Sequence, residues 1–331
     1  MSLLADRLNE LPAPDSSSRD AVAARAAQVL RPAGALAWLD DVAIWTAGWQ
    51  RSANPAVERP TALVFAADHG VTAAGVSNYP SEVTASMLQA TRNGQATVNA
   101  FARSVGATVT AVDVGVGTPT NDIRYEAALS PERFDAITKL AFDAVDALNT
   151  DLLVLGELGI GNTTAAAAVA AAFAGGEATA WVGRGTGIDD DGLARKRQAV
   201  QDSVRRIASV IDPLEILREV GGSELVGMAA AAIAARHRSI PVVLDGYICT
   251  ASMLPLHKVN THSLDHCIVG HCSAEPGHRL LLDVLNKRPL LDLDMRLGEG
   301  SGAMAAVPLV RMACAGVTEV STFDEFFGPA S

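Results

Sequence analysis

Leu152-Leu-Val-Leu-Gly-Glu-Leu-Gly-Ile-Gly-Asn-Thr-Thr164 is the stretch on which the fold turns. The uncharged aliphatic run reads as a strand, the glycines as a tight loop, and the alanine-rich segment at 163–173 as a helix. The same pattern recurs along the chain. Ala62-Leu-Val-Phe-Ala-Ala precedes Asp68-His69-Gly70, Ala107 to Val112 precedes Asp113, and Ala178 to Val182 precedes Gly183-Arg184-Gly185. Val242-Val-Leu precedes Asp245-Gly246, Ile268-Val269 precedes Gly270-His271, and Leu290-Leu-Asp-Leu293 reads as a seventh run. Helical segments fall between most of them, at 81–105, 131–148, 163–173, 192–211, 222–236 and 302–315. This alternation predicts an α/β fold, a doubly wound, mostly parallel sheet with helices on both faces.

Residues 1–58 read as a smaller helical lobe: Asp15-Ser-Ser-Ser offers a cap, and Arg31-Pro32-Ala33-Gly34 interrupts the periodic pattern. The expected organisation is therefore a helical lobe at 1–58, an α/β domain at 59–317 and a peripheral tail at 318–331, with a C-terminal contribution to the lobe.

Hydrophobic residues make up 49% of the 331 and charged ones 19%, which excludes a disordered chain. With a net charge of −11 and 26 Lys and Arg spread thinly, nucleic acid is not an expected partner. Four cysteines, Cys249, Cys267, Cys272 and Cys314, make no disulfide framework. Neither a signal peptide nor a membrane span is read, since the alanine run from Ala165 to Ala174 falls short of the roughly 20 residues a bilayer requires. The expectation is a soluble cytoplasmic protein.

In open α/β sheets ligands bind beyond the carboxyl ends of the strands. That rim is expected to collect Asp68, His69, Asp113, Glu157, Arg184, Asp245, His271 and Glu299. In Arg296-Leu-Gly-Glu-Gly-Ser-Gly302 a carboxylate stands among glycines, which let the backbone approach a ligand closely, and Glu299 is the candidate catalytic base. The 156–164 loop, with Asn162 or Thr163 as cap, presents free N–H groups and a helix N-terminus to an anion, typically a phosphate. It matches neither the dinucleotide fingerprint nor a Walker A loop. Gly183-Arg-Gly-Thr-Gly187 is a second such loop, leading through Asp189-Asp-Asp191, read as first-turn dipole matching, into a helix. There Lys196 or Arg197 is placed to meet a phosphate, and periodicity does not choose between them. Tyr79 is a candidate stacking wall for a flat heterocycle.

The region from His257 to His278 invites a zinc reading. On a strand, however, Cys267 and His271 would stand ~13 Å apart and Cys272 would face away, so tetrahedral ligation is not expected and His271, Ser273 and Glu275 are read as a polar loop at the rim. A zinc hydrolase and a non-catalytic nucleotide sensor are the competing readings.

Assembled in order, these residues resemble the nicotinate-nucleotide:5,6-dimethylbenzimidazole phosphoribosyltransferases. The resemblance rests on Ala67-Asp-His-Gly-Val71, Glu82-Val-Thr84, Asp113-Val-Gly115, Gly156-Glu-Leu-Gly159 with Asn162-Thr-Thr164, and the Gly183 loop through Lys196. It continues through Val220-Gly-Gly222, Val243-Leu-Asp-Gly246, Ser273-Ala-Glu275 and Met295-Arg-Leu-Gly-Glu-Gly-Ser-Gly-Ala303. It implies transfer of phosphoribosyl from nicotinate mononucleotide to dimethylbenzimidazole in cobalamin assembly, by a homodimer without metal or other cofactor. It implies Glu299 as base, Glu157, Gly159, Gly185, Thr186, Gly187 and Lys196 at the nucleotide, and Tyr79, Met87, Leu158 and Leu297 at the acceptor base; Asn162, Thr163 and Ser273 are expected beside the nucleotide with them. Two departures stand out. The family's Lys-Pro-Pro-Gly-Ser-Leu-Gly is here Arg31-Pro-Ala-Gly-Ala-Leu-Ala37, and Met87 stands where some members carry glutamine.

Overall fold

In the computed structural model, which describes residues 2–185 and 187–328, the apolar runs form one sheet of six strands. These are β1 (Pro60–Ala67), β2 (Thr108–Gly115), β3 (Leu152–Leu158), β4 (Val242–Leu244), β5 (Cys267–Cys272) and β6 (Pro289–Asp292). The order is β2-β1-β3-β4-β5-β6, and every pairing is parallel. The chain runs outward from β1 to β2, then returns to the other side of β1 and continues to β6. The order therefore reverses between β1 and β3, where such sheets open a crevice.

Side-chain alternation divides the core into two layers. Leu63, Phe65, Leu153, Leu155, Leu244 and Val269 face the helices Pro131–Asp146, Asn162–Ala174, Ser223–His237 and Tyr247–Val259. Val64, Ala66, Val154, Val243 and Ile268 face Trp38–Gln50, Val83–Arg92, Thr97–Ser104 and Ser301–Thr318. Ser301–Thr318 is, among the described residues, the single helix with the length and hydropathy of a membrane span. Its residues Met304, Val307, Val310, Cys314 and Val317 are instead packed into this second layer.

Two expectations are corrected. The run at 178–182 is not a strand: Ala178–Trp181 is one helical turn, with the Trp181 indole donating to the Gly175 carbonyl (2.7 Å). Its alanines favour a helix, and no gap in the sheet awaits another strand, because β3 is already bonded to β4. The helix expected over 81–105 divides at Asn93-Gly94 into Val83–Arg92 and Thr97–Ser104, Gly94 taking φ +76°.

The N-terminal helices go to both layers. Leu4 and Leu8 of Leu3–Leu8 join the first, whereas Ser16–Ala26 and Trp38–Gln50 pack with Ser301–Thr318. Arg25 ties the two ends of the chain together, its guanidinium donating to the carbonyls of Val317 and Val320 and pairing with Glu325.

Ala37, ahead of Trp38–Gln50, sits at φ 42°, ψ −106°, a region that a Cβ disfavours. The resemblance places a glycine here. Ala37→Gly should raise stability by about 1 kcal/mol, the relief of backbone strain exceeding the added freedom of the unfolded chain. A thermal midpoint that is unchanged or lower would contradict this.

Candidate active site

A cavity of about 600 Å³ opens at the carboxyl ends of β3, β4 and β5, bordered also by the segment 76–87 that follows β1. One end is built to hold an anion. After β3 the helix Asn162–Ala174 starts from Gly161 at φ +94°, so neither Asn162 nor Thr163 is its cap, contrary to expectation. Both side chains are thereby released toward other partners. Asn162 donates its amide to the Glu157 carboxyl, and the Thr163 hydroxyl stands 2.7 Å from the Lys196 ammonium.

Lys196 lies on the helix Asp190–Arg206, only 1% exposed, and donates also to the Gly183 carbonyl (3.1 Å). Burial pushes its pKa down to about 8, against the pull of nearby Glu275. Arg197 is half-buried and does not line the cavity. Gly159, Gly185 and Ser273 complete this end. The Ser273 N–H donates to His278 Nδ1 (2.7 Å), an acceptor kept neutral because burial lowers the His278 pKa to about 3. The acidic triplet behaves as dipole matching: Asp189 caps the helix by accepting from the Gly192 N–H (2.7 Å).

The other end is apolar, lined by Met87, Leu158, Leu297, Val83 and Ile248, with Tyr79 at the mouth and 53% exposed. Between the two ends stand the carboxylates. Gly298, Glu299 and Gly300 take φ of +86°, +65° and +80°, a left-handed turn that costs a residue bearing Cβ on the order of 1 kcal/mol or more.

Asp245, at the end of β4, clamps this turn, its two oxygens accepting from the N–H groups of Ala303 (2.8 Å) and Gly300 (3.1 Å). The Glu299 N–H in turn donates to the Glu157 carbonyl (3.1 Å). The Glu299 side chain, 4% exposed, lies toward the N–H groups of Val98 and Thr97 at the start of Thr97–Ser104, which favour its ionised form. Burial nonetheless raises its pKa, with Asp245 adding to the effect, and its Oε2 has no hydrogen-bond partner among the described residues. Glu157 is pushed well above the carboxylate range by burial and by Asp245 and Glu224, against the hydrogen bond from Asn162.

Thus Glu299, Glu157, Gly159, Asn162, Thr163, Gly185, Lys196, Ser273, Tyr79, Met87, Leu158 and Leu297 border one cavity. Thr186 lies outside the described residues. Gly187 does not line the cavity; its carbonyl accepts from the Asn78 side chain (2.9 Å). Of the expected rim, Asp245 and His271 are present, but four residues serve elsewhere. Asp68 accepts from the Gly117 N–H, Asp113 from the Gly115 and Val116 N–H groups, Arg184 pairs with Asp190, and His69 bonds Glu224. Arg184 misses the rim because it follows a helical turn rather than a strand. Tyr247 and Ile248 line the cavity without any advance signal in the sequence, and Arg296, within the glycine stretch that carries Glu299, lines it as well. Among the described residues, no three His, Cys, Asp or Glu side chains converge as metal ligands.

A parallel sheet with its pocket at the carboxyl ends of the strands, one end suited to an anion and the other to an apolar ring, defines a nucleotide-binding α/β enzyme. A phosphoribosyltransferase family model, DBI_PRT, matches residues 11–326. The chain is 46% identical over 320 residues to a nicotinate-nucleotide–dimethylbenzimidazole phosphoribosyltransferase of Ruegeria pomeroyi, covering 97% of this chain and 95% of that one. It is 45% identical over 317 residues to one of Mesorhizobium japonicum, covering 96% and 94%. The crystal structure of the Thermus thermophilus enzyme of this name superposes with a TM-score of 0.89 at 38% identity, over 96% of this chain and all of that one. The chain belongs to the nicotinate-nucleotide–dimethylbenzimidazole phosphoribosyltransferase family.

Proposed function

We propose that this chain transfers the 5-phosphoribosyl group of nicotinate mononucleotide to 5,6-dimethylbenzimidazole or a closely related base, giving α-ribazole 5′-phosphate and nicotinate. The observation that carries the reading is the unpartnered Glu299 Oε2, buried between an apolar pocket and an anion-suited end. In this reading Glu299 takes the azole N–H proton. The freed ring nitrogen attacks the anomeric carbon, and the electrons of the breaking glycosidic bond return to the nicotinate ring nitrogen and neutralise it. Lys196, Thr163, Ser273 and the Gly159 and Gly185 turns hold the phosphoribosyl group, with Asn162 acting through Glu157. Met87, Leu158, Leu297 and Tyr79 surround the acceptor, an apolar wall suited to a methylated ring.

The test is to incubate purified protein with both substrates, and with benzimidazole, adenine or phenols as alternative acceptors. Failure to form any ribosylated product overturns the reading. The resemblance also supports a cytoplasmic homodimer, and a monomer by sedimentation would count against that part.

A pH dependence follows from Lys196. Its charge is present below about pH 8 and lost above it, so an anion-binding role predicts that the KM for nicotinate mononucleotide rises as pH climbs through that value. Saturating kcat should change less. Lys196→Met should raise this KM at pH 7 and flatten its alkaline rise; an unchanged profile in the variant would remove Lys196 from the phosphate end.

A further inference from the structure

Behind the nucleotide end lies a pair of buried polar side chains that the proposed chemistry does not use. His69, beyond the end of β1, and Glu224, in the first turn of Ser223–His237, stand 2.6 Å apart through Nε2 and Oε1, and both side chains are fully enclosed. One hydrogen lies between them. The remaining polar atoms of the pair, His69 Nδ1 and Glu224 Oε2, have no hydrogen-bond partner among the described residues. Such an arrangement is a poor way to stabilise a core, because each orphaned buried atom forfeits hydration, and an apolar pair of similar volume is often as stable or more so.

The position of the pair shows what it acts on. The imidazole lies directly under the glycine turn of the nucleotide end. A Cβ on Gly159 would stand 3.2 Å from His69 Nε2, and one on Gly161 would stand 3.5 Å from His69 Cβ and 2.8 Å from Thr72 Cγ2. Thr72 is itself held by His69, its hydroxyl donating to the His69 carbonyl (2.8 Å). On the far side the ring is closed in by Gly222, where a Cβ would overlap His69 Cε1 and approach Glu224 Oε2 to 2.8 Å. The ring is thus wedged between two glycine turns, and its rotation is set by the bond to Glu224.

We infer that His69 and Glu224 are positioning residues for the nucleotide end of the cavity: Glu224 orients the imidazole, and the imidazole sets the height of the Gly159–Gly161 turn. The pair should therefore act on binding of the nucleotide more than on the acceptor pocket, whose residues Val83, Met87 and Leu297 come from other segments of the chain. The inference rests on the proposed assignment of this end to nicotinate mononucleotide.

The experiment compares wild type, Glu224→Gln and the double variant His69→Leu/Glu224→Leu, titrating nicotinate mononucleotide and dimethylbenzimidazole separately by calorimetry alongside thermal melts. The double variant should melt at or above the wild-type temperature, yet bind nicotinate mononucleotide about tenfold more weakly with dimethylbenzimidazole affinity within twofold. Glu224→Gln, which keeps a hydrogen bond to the ring, should fall between wild type and the double variant. Equal weakening of both ligands, or unchanged nucleotide affinity in a folded double variant, overturns the inference. Should the double variant fail to fold, Glu224→Gln decides, and wild-type nucleotide affinity in it is equally fatal. A wild type that binds the nucleotide but yields no product would defeat the proposed transfer and leave the affinity comparison standing.

Discussion

Replacing Glu299 with glutamine should lower kcat by on the order of 10²- to 10⁴-fold while leaving the thermal midpoint undiminished. The first half follows from the role proposed for it. Glutamine keeps the shape and a carbonyl oxygen that can face the N–H groups of Val98 and Thr97, but it offers no basic oxygen where Glu299 Oε2 has no partner among the described residues. The second half follows from linkage. Burial raises the Glu299 pKa above its ordinary 4.5, so its contribution to stability is complete below that value and is lost as pH rises through the folded-state value. At neutral pH the ionised side chain is a burden on the fold, and an amide of the same size removes it. The same shift sets the acid limb of the pH–rate profile. Wild-type kcat/KM should fall as pH drops through a value above 4.5, and the variant's residual activity should show no such limb. The alkaline limb near pH 8, assigned to Lys196, should survive in both. A glutamine variant within threefold of wild type would remove Glu299 from the chemistry.

The parts of the molecule that were legible in the sequence are those governed by local rules. β1 and β3 are buried on both faces and read as unbroken apolar runs, so their positions and the loops after them could be inferred directly. The same rule misread 178–182, because a short apolar run between glycines suits a strand or one helical turn equally, and only the occupied sheet decides between them. The glycine turns at 156–161 and 298–302 could be found, but not what holds them. Asp245 reaches Gly300 and Ala303 across 55 and 58 residues, and His69 meets Glu224 across 155, contacts that no periodicity encodes. The cap of Asn162–Ala174 was misassigned for a related reason. Asn162 is a favourable cap by type, yet the neighbouring Glu157 carboxyl draws its amide away, and Gly161 takes the left-handed cap position at little cost.

The second large effect is expected from Gly156→Ala, which should reduce kcat by about 100-fold and destabilise the fold by about 1–3 kcal/mol. Gly156 lies in the middle of β3, paired with Val64 of β1, so the strand beneath it is fixed by hydrogen bonds to its neighbour. A methyl group there would overlap the Gly300 nitrogen and stand 2.6 Å from the carbonyl carbon and oxygen of Glu299. These are backbone atoms and cannot rotate aside. The turn that carries them is pinned by the bond from the Glu299 N–H to the Glu157 carbonyl and by both oxygens of Asp245. Relief therefore requires the whole turn to lift away from the sheet, and a shift of about 1 Å displaces the Glu299 carboxylate from the acceptor it is proposed to deprotonate. The end proposed to hold the phosphate is built by Thr163 and Lys196 from other elements, so the KM for nicotinate mononucleotide should move far less than kcat. Gly316→Ala, in the helix that begins from the same turn, is the control. Its added Cβ meets Leu36 and Arg31 side-chain atoms at 3.4 and 3.5 Å, ordinary contacts, and activity should stay within twofold of wild type. Wild-type turnover in a folded Gly156→Ala protein would show that the turn does not set the position of the base.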